Sequence, residues 1–223
     1  TGSNDGTKKI LQLYSKFKKV RIKHVKKIYK SSPLNQIYAI ITALKMAKGQ
    51  IVCLLDGDDL FKKNKLKEIN KFFYSNIEVN FVQDCLINKE FSKTNRYFLF
   101  FKLLPKFFTT STFSIRKKKL EKFFKEHDPF NFDLLEIDAR LFFYSKLFKK
   151  NHYLLKKNLT TYTADLNGIS SKYKRFSEEW FRKRNQAHYF LKFFLKDVKY
   201  SYKIDFFLSR SFLYLISKLK LFI

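Results

Sequence analysis

The sequence predicts an α/β fold: a three-layer sandwich in which a mainly parallel sheet is covered by helices, with further helices at the C-terminal end. Three observations carry that expectation. Ile51–Leu55 is an unbroken apolar run that passes directly into Asp56, Asp58 and Asp59. Such runs mark a strand buried on both faces of a parallel sheet. Upstream, an alternating segment at Val20–Val25 and a helical pattern at Ser31–Ala47 complete a strand–helix–strand order, whose crossover sets the two strands parallel. From Ser177 onward the periodicity is helical only, which divides the chain into a domain over 1–172 and an amphipathic extension over 173–223.

Each element has a local reason. Gly2, Ser3, Asn4, Asp5 and Gly6 form a turn, and Thr7 is placed to cap a helix through Ile10, Leu11 and Tyr14. Ser31 and Pro33 open the second helix, which carries Ile37, Ile40, Ile41 and Leu44 near one face and ends at Gly49. Asn64 caps a third helix through Leu66, Ile69 and Phe72, and Val79–Val82 reads as a strand. Cys85–Pro105 shows no clear period. Thr109–Arg116 alternates as a strand, Lys117–Lys125 is a basic helix, His127–Phe130 is a break, and Glu136–Lys149 is helical. Tyr153–Thr163 is the last strand expected, followed by a turn at Asn167 and Gly168. Ser177 opens a helix to Val198, and Tyr200–Ile223 forms another.

Composition bounds the function. A chain of 223 residues with 45% hydrophobic content buries a sizeable core. The 47 Lys+Arg against 19 Asp+Glu give a formal charge of +28, which by itself points to nucleic acid or an anionic membrane. The lysines are spread along the whole chain, together with heavy use of Phe, Asn and Ile. Compositional drift therefore accounts for the charge better than a dedicated nucleic-acid surface does. Cys53 and Cys85 are unclustered, which fits a reducing, cytoplasmic setting. No stretch approaches the ~20 uncharged apolar residues of a membrane span.

The acidic knot is out of character for so basic a chain. Three carboxylates within four residues repel one another unless a cation or a donor cluster joins them. An acidic turn capping the next helix is one reading. A phosphorylated aspartate is a second, and a divalent cation bridging one or two carboxylates to a substrate diphosphate is a third.

The run A-L-K-M-A-K-G at Ala43–Gly49, followed by I-V-C-L-L-D-G-D-D-L-F at Ile51–Phe61, resembles the family 2 nucleotide-sugar glycosyltransferases of GT-A fold. The turn G-S-N-D-G-T at Gly2–Thr7 is similar to that family's donor-binding turn. S-T-F-S-I-R at Ser111–Arg116 is similar to its strand before a basic helix. Asp138 resembles the acid of its E-D segment, and Tyr162, Asn167, Ser170 and Ser171 resemble its late polar loop.

The resemblance implies an inverting, hexosyltransferase-like single displacement from a nucleotide-diphosphate sugar to a hydroxyl acceptor, glycan or lipid-linked. Asp58, with Asp56 or Asp59, would hold Mg2+ or Mn2+. Asp56, Asp5, Gly2 and Ser3 would contact the donor. Asp138 would be the general base, with Glu136 and Asp133 as rivals, and Arg116 with Lys117–Lys119 would meet phosphate. Ile40 and Ile41 stand where the family carries an Arg-Asn pair. The family's first strand, helix and second strand are expected ahead of Gly2, so the chain reads as a fragment or a truncated, catalytically impaired copy. A non-catalytic binding module of the same fold is the alternative, and a nucleic-acid-binding protein the weaker one. The basic, aromatic helices after Ser177 suit peripheral contact with the inner face of a membrane or packing on the domain.

Overall fold

A computed structural model describes residues 6–84, 109–145, 152–163, 173–194 and 200–219. Gly2, Ser3 and Asp5, the irregular segment at Cys85–Pro105, and Asn167, Ser170 and Ser171 lie outside these residues.

Helix α1 spans Thr7–Ser15, and α2 spans Ser32–Met46. Ser31 is the N-cap of α2: its side chain accepts from the Leu34 N–H at 3.4 Å, with Pro33 in the first turn. Thr7 is the first residue of α1 and not its cap, which is Gly6. Strand β1 covers Ile51–Cys53, β2 Leu60–Phe61 and α3 Lys65–Ser75; β3 covers Phe81–Asp84. A 3-10 turn at Thr110–Thr112 leads into β4, Phe113–Arg116, and α4, Lys117–Glu126. Then come α5 at Ile137–Ser145, β5 at His152–Leu155, β6 at Thr160–Thr161, α6 at Glu178–Phe194 and α7 at Tyr200–Leu219.

The main sheet has the order β1-β4-β3-β5, and β2 pairs with β6 in a separate two-stranded ribbon. β1, β3 and β5 share one direction, but β4 lies antiparallel between β1 and β3, so only the β3–β5 pairing is parallel. The expectation of a mainly parallel sheet is therefore not met in the described pairings. The reason lies in where β4 begins. The Leu54 N–H donates to the Phe113 carbonyl at 3.1 Å, so β4 starts where β1 ends and runs back until Arg116 stands opposite Ile51.

Three further expectations change. Val20–Val25 forms no strand: it lies across the end of α2, where Arg21 Nη1 donates to the Met46 carbonyl at 2.8 Å. Its backbone finds no ladder partner among the described residues, and a strand exists only through such pairing. The strand expected over Thr109–Arg116 is half 3-10 turn. The one expected over Tyr153–Thr163 splits into β5 and β6, in two different sheets.

Alternation along β3 divides the core. Phe81 joins Ile37, Phe113, Leu120, Leu141 and Phe190 on the face covered by α2, α4, α5 and α6. Val82 turns the other way, onto Ile69, Phe73, Val79 and Leu159 beneath α3. Each such side chain contributes about 1.5–3 kcal/mol by leaving water. Ala187, Phe190 and Leu191 of α6 belong to the same core cluster as the sheet, and α7 packs on α6.

Candidate active site

The acidic turn leaves the carboxyl end of β1, the edge at which open α/β sheets bind ligands. Ser111, on the 3-10 turn, receives the Asp56 N–H on its Oγ at 2.9 Å. The Asp59 N–H returns to the Asp56 carbonyl at 3.3 Å and closes the turn. Gln36, near the start of α2, donates Nε2 to Asp56 Oδ1 at 2.9 Å and reaches Thr110 Oγ1 at 3.5 Å. Burial pushes the Asp56 carboxyl above its ordinary pKa. Gln36 and Thr110 oppose the rise, and the charges of Asp59 and Asp58 add to it.

The three acids differ in setting. Asp58 is exposed and Asp56 half-buried. Asp59 is only 4% exposed; its Oδ1 accepts the Thr163 N–H at 3.0 Å, and its Oδ2 is buried without a hydrogen-bond partner among the described residues. Tyr162, beside Thr163, is exposed.

Asp138 lies in the first turn of α5, with Oδ1 accepting the Ala139 N–H at 2.7 Å. Burial first, and the Glu136 charge second, raise its pKa to about 7, while Lys183 opposes them. Asp56 contributes to the same rise, so the two acids stand within electrostatic reach of one another. The rivals are otherwise engaged. Glu136 is ion-paired with Lys183, and Asp133 is exposed and accepts Gln186 Nε2 at 2.6 Å.

Arg116 does not have a free guanidinium to offer a phosphate. It donates to the carbonyls of Val79 at 2.8 Å, Phe73 at 2.9 Å and Asn76 at 3.2 Å, securing the end of α3. Lys117 Nζ likewise donates to the Ala47 carbonyl at 2.7 Å.

Among the described residues no group of three or more His, Cys, Asp or Glu is gathered to hold a metal unaided. An exposed Asp58 beside a half-buried Asp56 is a different donor set. Mg2+ is commonly held by one or two carboxylates, with phosphate oxygens and waters completing the shell. The residues present fit a cation shared with a diphosphate, and not a cage made by protein alone.

The model of glycosyl transferase family 2 matches residues 1–133. The chain belongs to that family. No curated protein matches the chain. Membership in family 2 brings the GT-A, Rossmann-like α/β fold, a nucleotide-sugar donor, an acceptor and the common use of a divalent metal. The matched stretch contains Gln36, the acidic turn and Ser111, and it ends just before Asp138.

Sequence reasoning missed Gln36 and the groups behind the turn, Lys65, Asp84 and Thr160. A signal existed for Gln36. A crossover helix runs antiparallel to its strand, so its first turns face the strand's carboxyl end. For Lys65 there was none, because it stands among Lys62, Lys63 and Lys67.

Proposed function

We propose that this family 2 glycosyltransferase moves a sugar, with inversion, from a nucleotide-diphosphate donor to a hydroxyl of a glycan or lipid-linked acceptor. Asp58 and Asp56 are the ligands for Mg2+ or Mn2+ on the donor diphosphate, and Asp138 is the general base. Asp59 holds the turn through Thr163. The observation that supports this reading is Asp138, whose pKa is raised to about 7 by burial, by Glu136 and, least, by Asp56 of the acidic turn, beside which Asp58 is exposed. A base is most effective when its pKa lies near ambient pH. A cation at Asp58 and Asp56 supplies charge neutralisation for the leaving diphosphate. Gln36 orients Asp56, and Asp138 takes the proton of the attacking hydroxyl.

The test is a thermal shift with UDP, GDP and dTDP, each with and without Mn2+. One nucleotide should raise the Tm only with metal, because ligand binding to the folded state stabilises it by mass action. Asp58→Asn should remove that shift. Silence from all three nucleotides would favour a non-catalytic member of the family.

The acceptor side brings in α7. It exposes Phe207, Tyr214, Leu215 and Leu219 beside Arg210 and Lys218. Among the described residues no helix is long and apolar enough to cross a membrane. We assign this basic, aromatic face to peripheral contact with an anionic bilayer on the cytoplasmic side. Co-sedimentation with phosphatidylglycerol vesicles, lost at high salt, checks it.

A further inference from the structure

Behind the acidic turn lies a charge network that the proposed chemistry does not use. Lys65, the first residue of α3, has no exposed side-chain surface, and neither does Asp84 at the end of β3. Lys65 Nζ donates to Asp84 Oδ1 at 2.6 Å, to the Ser111 carbonyl at 2.6 Å and to Thr160 Oγ1 at 2.7 Å. It also lies 4.3 Å from the centroid of the Phe61 ring. Asp84 Oδ2 accepts the Thr160 hydroxyl at 2.7 Å and the Leu159 N–H at 3.2 Å. An ammonium so far from water is expensive to hold, and burial does push the Lys65 pKa down against the pull of Asp84. Such a group persists where its partners fix a geometry.

The partners show which geometry. Ser111 is bonded twice: its carbonyl accepts from Lys65, and its hydroxyl accepts the Asp56 N–H. Thr160 sits opposite Phe61 in the β2–β6 ribbon, which follows the turn immediately. The same strand leads to Thr163, whose N–H holds Asp59. The Lys65 charge also acts directly on Asp59.

We infer that Lys65 is a positioning residue for the donor site, gripping the Asp56–Asp59 turn through Ser111 on one side and Thr160 on the other. It touches neither donor nor metal. The inference rests on the donor-site reading for its functional consequence, but the grip itself does not.

The test uses Lys65→Met/Asp84→Asn, which removes both charges and leaves no lone buried ion. The double variant should retain a cooperative melt. Its affinity for the nucleoside diphosphate with Mn2+ should fall by about tenfold or more. Amide hydrogen exchange at Asp56, Asp59 and Thr163 should quicken by at least about tenfold while α5 and β3 keep their protection. A purely structural role would instead lower protection evenly.

Thr160→Val is the gentler cut, expected to quicken the same amides to a smaller degree. Wild-type protection at those three amides in either folded variant overturns the inference. A double variant that fails to fold, together with an unchanged Thr160→Val, also overturns it. Quickened amides in a protein whose wild type binds no nucleotide would sink the donor reading and leave the grip standing.

Discussion

Asp138 shows how a fold tunes one acid. Its carboxyl is desolvated beside Glu136, so its proton is held up to about 7. Because the folded pKa lies above the unfolded one, its favourable contribution to stability is complete at acid pH and lost as pH rises through about 7. Above that, the carboxylate destabilises the protein it serves. Asp138→Asn should therefore raise the Tm at about pH 8, by roughly 2–4 °C for each kcal/mol relieved, with the gain shrinking toward about pH 5. With Asp138 as the proposed general base, turnover of the unaltered chain should rise with pH through about 7 and then level. In Asp138→Asn it should fall by about 100-fold or more. Undiminished turnover in that variant would move the base to Glu136 or Asp133.

The element that carries Asp138 is set by the loop before it. Arg140 is fully buried, and its guanidinium donates to the carbonyls of Leu135, Pro129, Asn131 and Phe132 at 2.6–2.8 Å. That knot holds Phe132 at a φ of 63°, a left-handed conformation unusual for a bulky side chain. Arg140→Met keeps much of the volume but removes the donor to four carbonyls, of which Phe132's keeps the Leu135 N–H at 2.9 Å. It should destabilise the fold by ~2–4 kcal/mol in urea unfolding. A loss below ~1 kcal/mol would mean that water replaces the guanidinium. None of this knot is legible in the sequence, where Arg140 is one arginine within a helical pattern. By contrast α2 is legible at its start, where Ser31 caps it and Pro33 fits its first turn, while its end falls at Ala47, short of the Gly49 the sequence suggested.

At the scale of the whole molecule, the two C-terminal helices are joined by a buried cluster. Asp205 of α7 is ion-paired with Arg184 of α6, lies 3.2 Å from His188 Nε2, and accepts the Ser209 hydroxyl at 3.1 Å. Removing one partner of a buried ion pair leaves the other charged and unsolvated. Asp205→Ala should cost ~3–5 kcal/mol of α6–α7 docking. Limited proteolysis should then cut within residues 200–219 before the sheet unfolds. Simultaneous loss of all structure would show that α7 is cooperative with the sheet. Because α6 contributes Phe190 to the core beside Phe143, disturbance here also bears on the helix that holds Asp138.

The sequence by itself determined the helices, the existence of a strand at Ile51–Cys53 and the acidic turn that follows it. Each rests on contacts within a few residues: a cap, a period, a run of apolar side chains. The burial on both faces expected of that strand is not met, because among the described residues β1 is an edge strand whose side chains are only partly buried. The family resemblance added the metal-ligand role proposed for Asp56 and Asp58. Only the tertiary structure decided the direction of β4, the parting of β5 from β6, and the hydrogen bond from Gln36 to Asp56. It alone showed Glu136 ion-paired with Lys183 and Asp133 bonded to Gln186, with Asp138 bonded only to its neighbouring backbone N–H among the described residues. It alone chose Lys65 from the 47 Lys+Arg as a fully buried cation behind the acidic turn. Lysines carry the same charge wherever they stand in a sequence. Which of them loses its water depends on chain segments brought together from Ser111 and Thr160, and no local pattern records that meeting.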